Sequence, residues 1–220
     1  MYVMSRCFFI SGNQYKLRRL KFRAIIINID KSYEVFSYYR KLIQGGDRMG
    51  NYLNPGNEKF RRMIQSEIYV DKTGMIKYTN SVLDTAQNYV CVSRPRRFGK
   101  SMAANMLTAY YSRGCNSKEL FGKFEIAKDK DFEKYLNQYN TIFLNMQEFL
   151  SRSHNVEELI DRVKKLVIRD LKMEYPEVDY FDDTDLIECM QDIYAQMQYP
   201  FVVIIDEWIA FLGNINKIKK

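Results

Sequence analysis

Tyr89-Val90-Cys91-Val92-Ser93-Arg94-Pro95-Arg96-Arg97-Phe98-Gly99-Lys100-Ser101 passes from a short apolar run into a basic loop, and Met102-Ala103-Ala104-Asn105-Met106-Leu107 comes next as a helix-forming stretch. Strand, loop and helix in that order gather consecutive backbone N–H groups and a helix N-terminus at one point, an arrangement that suits a phosphate. Gly99 lets the backbone approach closely, Lys100 is placed to reach the outer phosphates, and the Ser101 hydroxyl suits Mg²⁺. The usual GxxxxGK[ST] spacing asks for glycine at position 94, where this chain has Arg94. A bare Gly-Lys-Ser is a weak signal.

A second stretch strengthens it. Phe201-Val202-Val203-Ile204-Ile205-Asp206-Glu207 is an apolar run that ends in two adjacent carboxylates. In a parallel sheet such a run brings both acids to the C-terminal edge of the strands, where ligands bind. There Asp206 would hold Mg²⁺ through water and Glu207 would polarise an attacking water. The bland alternative is an acidic pair that closes a core strand, and the company of Gly99-Lys100-Ser101 weighs against it.

The rest of the pattern is α/β. Asn54-Pro55-Gly56-Asn57 reads as a turn, with a short helix expected from Glu58 to Ser66. Ile68 to Gly74 reads as a short strand and turn, leading into a helix through about Leu83. A helix is expected over 100–112, stopped by Arg113-Gly114, and a charged helical segment from Gly122 to about Tyr139. Thr141-Ile142-Phe143-Leu144-Asn145 is a buried strand. Val156, Leu159, Ile160, Val163, Leu166 and Val167 recur at helical spacing until Pro176. Asp183-Thr184-Asp185 caps a further helix before the strand at 201–205. Apolar strands without alternation, separated by helices, predict a parallel sheet covered on both faces.

Composition fits a folded domain, with 46% hydrophobic residues, 17 Tyr and 14 Phe in 220 residues. The net charge of +7 lies wholly in residues 1–48, which carry ten Lys/Arg against three acids; the remaining 24 basic and 24 acidic residues cancel. The main body therefore has no global pull toward nucleic acid. Cys7, Cys91, Cys115 and Cys189 are scattered without a CxxC pair, which argues against a zinc site and for a reducing cytoplasm. No apolar run approaches the roughly 20 residues that span a bilayer, so no membrane partner is expected. His154, the only histidine, lies in a polar stretch and is expected on the surface.

Residues 1–48 look foreign to the rest of the chain. They hold one strand-like run, Ala24–Ile29, and end in Gly45-Gly46-Asp47-Arg48 before Met49. Gly-Gly-Asp codons can form a bacterial ribosome-binding site, so Met49 is read as the natural start and residues 1–48 as a basic translated leader, with a genuine basic arm as the alternative.

Ser93 to Ser101, the upstream Tyr69-Val70-Asp71-Lys72-Thr73 and the downstream Ile205-Asp206-Glu207-Trp208 together resemble the predicted AAA-ATPase-like family of bacteria and archaea. The resemblance spans about Met49 to Trp208 and implies a P-loop NTPase fold in which Arg94 replaces the first glycine as a family habit. It implies ATP and Mg²⁺ as cofactors. Arg96, Arg97, Phe98, Gly99, Lys100 and Ser101 are the nucleotide-binding residues it points to, Ser101 and Asp206 the metal ligands, and Glu207 the catalytic residue. Arg96 and Arg97 are equally open to a structural ion pair. Asp71 and Lys72 match the family with no chemistry assigned.

Residues 209–220, rich in Ile, Asn and Lys, depart from the family pattern and read as an atypical tail that leaves the domain of 49–208 incomplete at its C-terminus. In the class the family resembles, the strand after the acidic one inserts between it and the phosphate-loop strand, and that strand is expected to be missing here. ATP binding with Mg-dependent hydrolysis as the ancestral reaction is the leading function. A non-catalytic nucleotide-binding fragment is the first alternative, and a nucleic-acid binder acting through the basic arm is the second. A homo-oligomer is compatible with the family.

Overall fold

The computed structural model describes residues 50–93 and 98–208, together with the backbone of Phe22–Ile27. Four strands, β1 (Phe22–Ile27), β2 (Tyr89–Val92), β3 (Asn140–Asn145) and β4 (Phe201–Asp206), form one sheet in the order β2-β1-β4-β3. All three pairings are parallel, with Ile27 opposite both Val92 and Asp206, and Asn145 opposite Asp206. The strand C-termini thus share one edge.

Side chains alternate across that sheet, as a pleated strand requires. Val202 and Ile204 of β4, with Phe143 of β3, enter a core with Phe60, Ile76, Leu83, Leu107, Tyr110 and Phe121. Phe201 and Val203, with Ile142 and Leu144, enter the opposite core with Leu159, Val167, Leu171 and Ile193. The first layer is built from α1 (Glu58–Ile64), α2 (Gly74–Leu83), α3 (Lys100–Tyr111), α4 (Lys118–Phe121), a 3₁₀ turn at Glu125–Lys128 and α5 (Phe132–Tyr135). The second comes from α6 (Met146–Leu150), α7 (Val156–Glu174) and α8 (Leu186–Met197). This is an α/β fold around a small parallel sheet.

Local chemistry sets the ends of these helices. Asn155 accepts from Glu158 N at the start of α7, and Asp185 accepts from Ile187 N and Glu188 N at the start of α8. The outer edge of β3 is covered by residues 52–54. Asn54 N donates to the Thr141 carbonyl at 2.8 Å, Thr141 N to Asn54 Oδ1 at 2.8 Å, and Phe143 N to the Tyr52 carbonyl at 2.8 Å. Buried Asp170 of α7 anchors that segment by accepting Tyr52 N at 2.8 Å.

A polar network ties α2 to α3 inside the first core. Tyr111 Oη contacts Thr79 Oγ1 at 2.7 Å and donates to Asn80 Oδ1 at 2.7 Å. Asn80 Nδ2 donates to Tyr110 Oη at 3.1 Å, and that hydroxyl donates to the Phe132 carbonyl at 2.6 Å. Burial drives the Tyr111 hydroxyl pKa well above its ordinary value, so it stays a neutral donor.

Three expectations change. Residues 68–73 form no strand: Ile68 and Val70 are exposed, while Tyr69 packs on Phe60 and Phe124 and Thr73 is buried. The residues alternate there, but Asp71 accepts Thr73 N and Glu125 N and Thr73 accepts Ile126 N, which ties the segment to the 3₁₀ turn instead of to a neighbouring strand. The segment from Gly122 to Tyr139 is not one helix. Asp129 Oδ1 accepts Asp131 N at 2.9 Å, an Asx turn that separates the 3₁₀ turn from α5.

The third change concerns the sheet. The position between β2 and β4, expected to be empty, is filled by β1 from the N-terminal 48 residues. His154 is exposed, as expected. Among the described residues no helix is long and apolar enough to cross a membrane.

This packing has two consequences for stability. Deleting residues 1–48 opens facing edges on β2 and β4, so the shortened chain is expected to lose its cooperative thermal transition and to aggregate on size-exclusion chromatography. An unchanged monomer with an unchanged Tm would contradict the central placement of β1. Tyr111→Phe leaves Asn80 and Thr79 each short of a buried partner and is expected to cost about 1–3 kcal/mol in urea unfolding.

Candidate functional site

Two positions of the chain far apart in sequence meet at the C-terminal edge of the sheet. β2 and β4 are separated by β1, so their ends lie about 10 Å apart at the usual interstrand spacing. Helix α3 spans that gap by packing back over β4. Its second residue, Ser101, donates its hydroxyl proton to the Asp206 carboxylate, and the Lys100 ammonium acts on the same carboxylate from nearby.

Gly99 makes this entry to α3 sterically allowed. It is the N-cap of the helix and adopts φ 71°, ψ 34°, a left-handed conformation that glycine takes without a Cβ clash. Its carbonyl accepts Ala103 N at 3.0 Å, the first turn of the helix. Lys100 comes next and is buried, with 7% exposure, a rare state for lysine that needs a compensating charge. Phe98 lies on the other side of Gly99 with its ring exposed. Arg96 and Arg97 lie outside the described residues.

Asp206 is the last residue of β4 and is only 2% exposed. Burial pushes its carboxyl up to about 6, although Glu207 N, the Ser101 hydroxyl, Lys100 and Lys59 all act to lower it. The Glu207 N–H donates to Asp206 Oδ1 at 3.0 Å. Glu207 itself is buried at 6% exposure and takes φ 60°. A glutamate in the left-handed region carries a backbone cost of about 1–3 kcal/mol, and such outliers cluster at functional sites.

Two lysines join the edge that the sequence does not place there. Lys59 of α1 lies with its Nζ 5.2 Å from the centre of the Phe143 ring. Burial lowers its pKa, while Glu148 and Asp206 act to raise it, so Lys59 shares the field of the buried acid. Nothing in Glu58-Lys59-Phe60 signals this, because only the packing of α1 brings it near β4. Lys72 stands out in the sequence by its motif alone, and its Nζ donates to the Phe98 carbonyl at 2.6 Å. Among the described residues no three His, Cys, Asp or Glu side chains gather as a metal cluster. The oxygen donors that meet here are the Ser101 hydroxyl and the Asp206 carboxylate.

The raised Asp206 pKa has a definite sign for stability. In the unfolded chain the group titrates near 3.8, and in the fold near 6, so the folded state holds an extra proton between those values. Stability therefore falls as pH rises through that window, and above it the ionised carboxylate costs about 3 kcal/mol. Asp206→Asn is expected to be more stable than the parent at pH 7.5 in metal-free buffer, with the gap closing toward pH 4. Equal urea midpoints for the two proteins at pH 7.5 would refute this.

The chain matches the family described as AAA-ATPase-like, Predicted AAA-ATPase, over residues 55–219. No curated protein and no solved structure matches it. The matched segment takes in the β2–α3 loop, α3 and the acidic end of β4, so the residues that meet at the sheet edge belong to it. The chain belongs to the predicted AAA-ATPase-like family.

Proposed function

We propose that this chain binds ATP with Mg²⁺ at the C-terminal edge of the sheet, with Mg-dependent hydrolysis as the reaction the site is built for. The observation that carries the reading is the contact between Ser101 and Asp206, with Lys100 beside them. It joins the glycine-lysine-serine loop to the acidic strand end, the two halves that an NTP site needs and that neither motif supplies alone.

The donor set fits magnesium. Mg²⁺ takes oxygen ligands, keeps several waters and is held by one or two carboxylates plus substrate phosphates, so one aspartate and one hydroxyl suffice. A buried carboxylate whose proton affinity is raised by desolvation is also one that gains most from a cation. When bound, the metal supplies charge neutralisation on the β- and γ-phosphates.

Each residue then has a distinct task. The loop around Gly99 and the first turn of α3 present backbone N–H groups to the phosphates. Lys100 sets a fixed positive charge against the outer phosphates without reorganisation, because it is already buried in place. Asp206 and Ser101 would hold the cation. Glu207, at positive φ just past the end of β4, orients a water and accepts its proton. Arg96 and Arg97 add positive charge to the same loop in this reading, and Phe98 offers an exposed ring beside it.

Binding and turnover separate by mutation. Lys100→Ala is expected to weaken ATP·Mg²⁺ binding by at least about tenfold in calorimetry, the loss of one charge-assisted contact. Glu207→Gln is expected to keep binding and to lower phosphate release by about 10²–10⁴-fold, the range for a lost general base. Binding that is indifferent to Lys100→Ala would remove the nucleotide site. Binding without any phosphate release by the parent chain would leave a nucleotide-binding protein and remove the hydrolase.

A further inference from the structure

Tyr69-Val70-Asp71-Lys72-Thr73 is conspicuous in the sequence, and the candidate nucleotide site uses none of it. The structure divides its three polar residues between two directions. Asp71 Oδ1 accepts Thr73 N at 2.8 Å and Asp71 Oδ2 accepts Glu125 N at 3.1 Å, while Thr73 Oγ1 accepts Ile126 N at 3.2 Å. Burial pushes the Asp71 carboxyl up, but the backbone N–H bonds of Thr73 and Glu125 outweigh it and hold the group below the ordinary carboxylate range. Asp71 and Thr73 therefore fix the start of α2 to the 3₁₀ turn. Lys72, between them, is half-buried and reaches the β2–α3 loop, where its Nζ sits 2.6 Å from the Phe98 carbonyl oxygen.

That carbonyl belongs to the peptide joining Phe98 to Gly99. No described peptide bond is cis, and in a planar trans peptide the C=O and N–H point in opposite directions. Holding the Phe98 oxygen toward Lys72 therefore aims the Gly99 N–H to the other side of the loop. The peptide needs such a hold, because glycine visits both signs of φ with little penalty and offers no Cβ to resist a flip. The fit is also close: a Cβ on Gly99 would lie 2.5 Å from Lys72 Nζ. Gly99 is thus required twice, for its φ of 71° and for the approach of this lysine.

We propose that Lys72 is a positioning residue that locks the Phe98–Gly99 peptide with its oxygen outward and its N–H available to a phosphate. In the flipped orientation the loop would offer a carbonyl oxygen to an anion. Lys72 acts through the loop, and its effect falls on every ligand whose phosphates the loop N–H groups hold. The proposal rests on the nucleotide reading for its ligand, but the peptide orientation can be read without one.

The test uses the full chain and the variants Lys72→Met and Lys72→Arg. With ¹⁵N-glycine labelling, the ten glycines give a sparse amide spectrum in which Gly99 can be followed. The Gly99 signal is expected to shift or broaden in Lys72→Met and to return toward the parent position in Lys72→Arg, with Tm little changed. ATP and ADP, each with Mg²⁺, are expected to lose affinity by the same factor in Lys72→Met, about 10- to 100-fold for a charge-assisted hydrogen bond. An unmoved Gly99 signal overturns the lock. A loss confined to ATP overturns it too, in favour of direct contact between Lys72 and the terminal phosphate. If Gly99 responds but the parent chain binds neither nucleotide, the lock stands and the nucleotide reading falls.

Discussion

The sheet depends on β1 pairing along both edges at once. With β1 in place, β2 and β4 are held parallel and in register, Val92 and Asp206 both opposite Ile27. Parallel strands leave all their C-termini on one side, and that is what brings the β2–α3 loop to the same edge as the two carboxylates. The spacing matters as well as the direction. One intervening strand sets the loop and the acids about 10 Å apart, a gap that α3 then crosses. Remove the strand and β2 and β4 lose the partner whose ladders set that distance.

Helix α3 is the second fixed point, and its position is set by packing at its far end. Tyr110 and Tyr111 are fully buried and bonded to α2 and to the Phe132 carbonyl. A polar network inside an apolar core is costly unless every member is satisfied, so it allows few registers for the helix. The first turn, a helix length away, inherits that register. Ser101 reaches Asp206 from a helix whose far end is held by the buried Tyr110 and Tyr111.

Much of this is legible in the chain and some is not, for physical reasons. The strands at 140–145 and 201–206 are clear because buried parallel strands are nearly unbroken apolar runs, and the strand at 89–92 is clear from its short apolar run although Tyr89 is exposed. The caps at Asn155 and Asp185 and the left-handed Gly99 are local events that local residue types decide. The sheet order is not local. Ala24-Ile25-Ile26-Ile27 reads as a strand, but its basic surroundings set it apart from the rest, and nothing in a strand's own residues states which partners it will have. The motif at 69–73 misleads in a similar way. Its alternation suggests a strand, while Asp71 accepts the N–H of Thr73 two residues on and the Thr73 hydroxyl accepts Ile126 N from the distant 3₁₀ turn. The two halves of the candidate site are readable as motifs; Lys59 and the loop contact of Lys72 depend on tertiary packing and are not.

The site edge also concentrates features that a stability-driven sequence would avoid. Asp206 is a carboxylate in a place that raises its proton affinity, Lys100 is a buried ammonium, Glu207 sits at positive φ, and the Phe98–Gly99 peptide is held by a lysine rather than by a ladder. These four are neighbours in space and none is required by the sheet or by either core. Asp206 and Lys100 act on each other at that edge, and the Lys72 bond to the Phe98 carbonyl fixes the peptide that leads into α3. In the proposed reading an Mg-nucleotide would bring a cation and phosphates to this edge, where the departures from a regular, apolar fold collect.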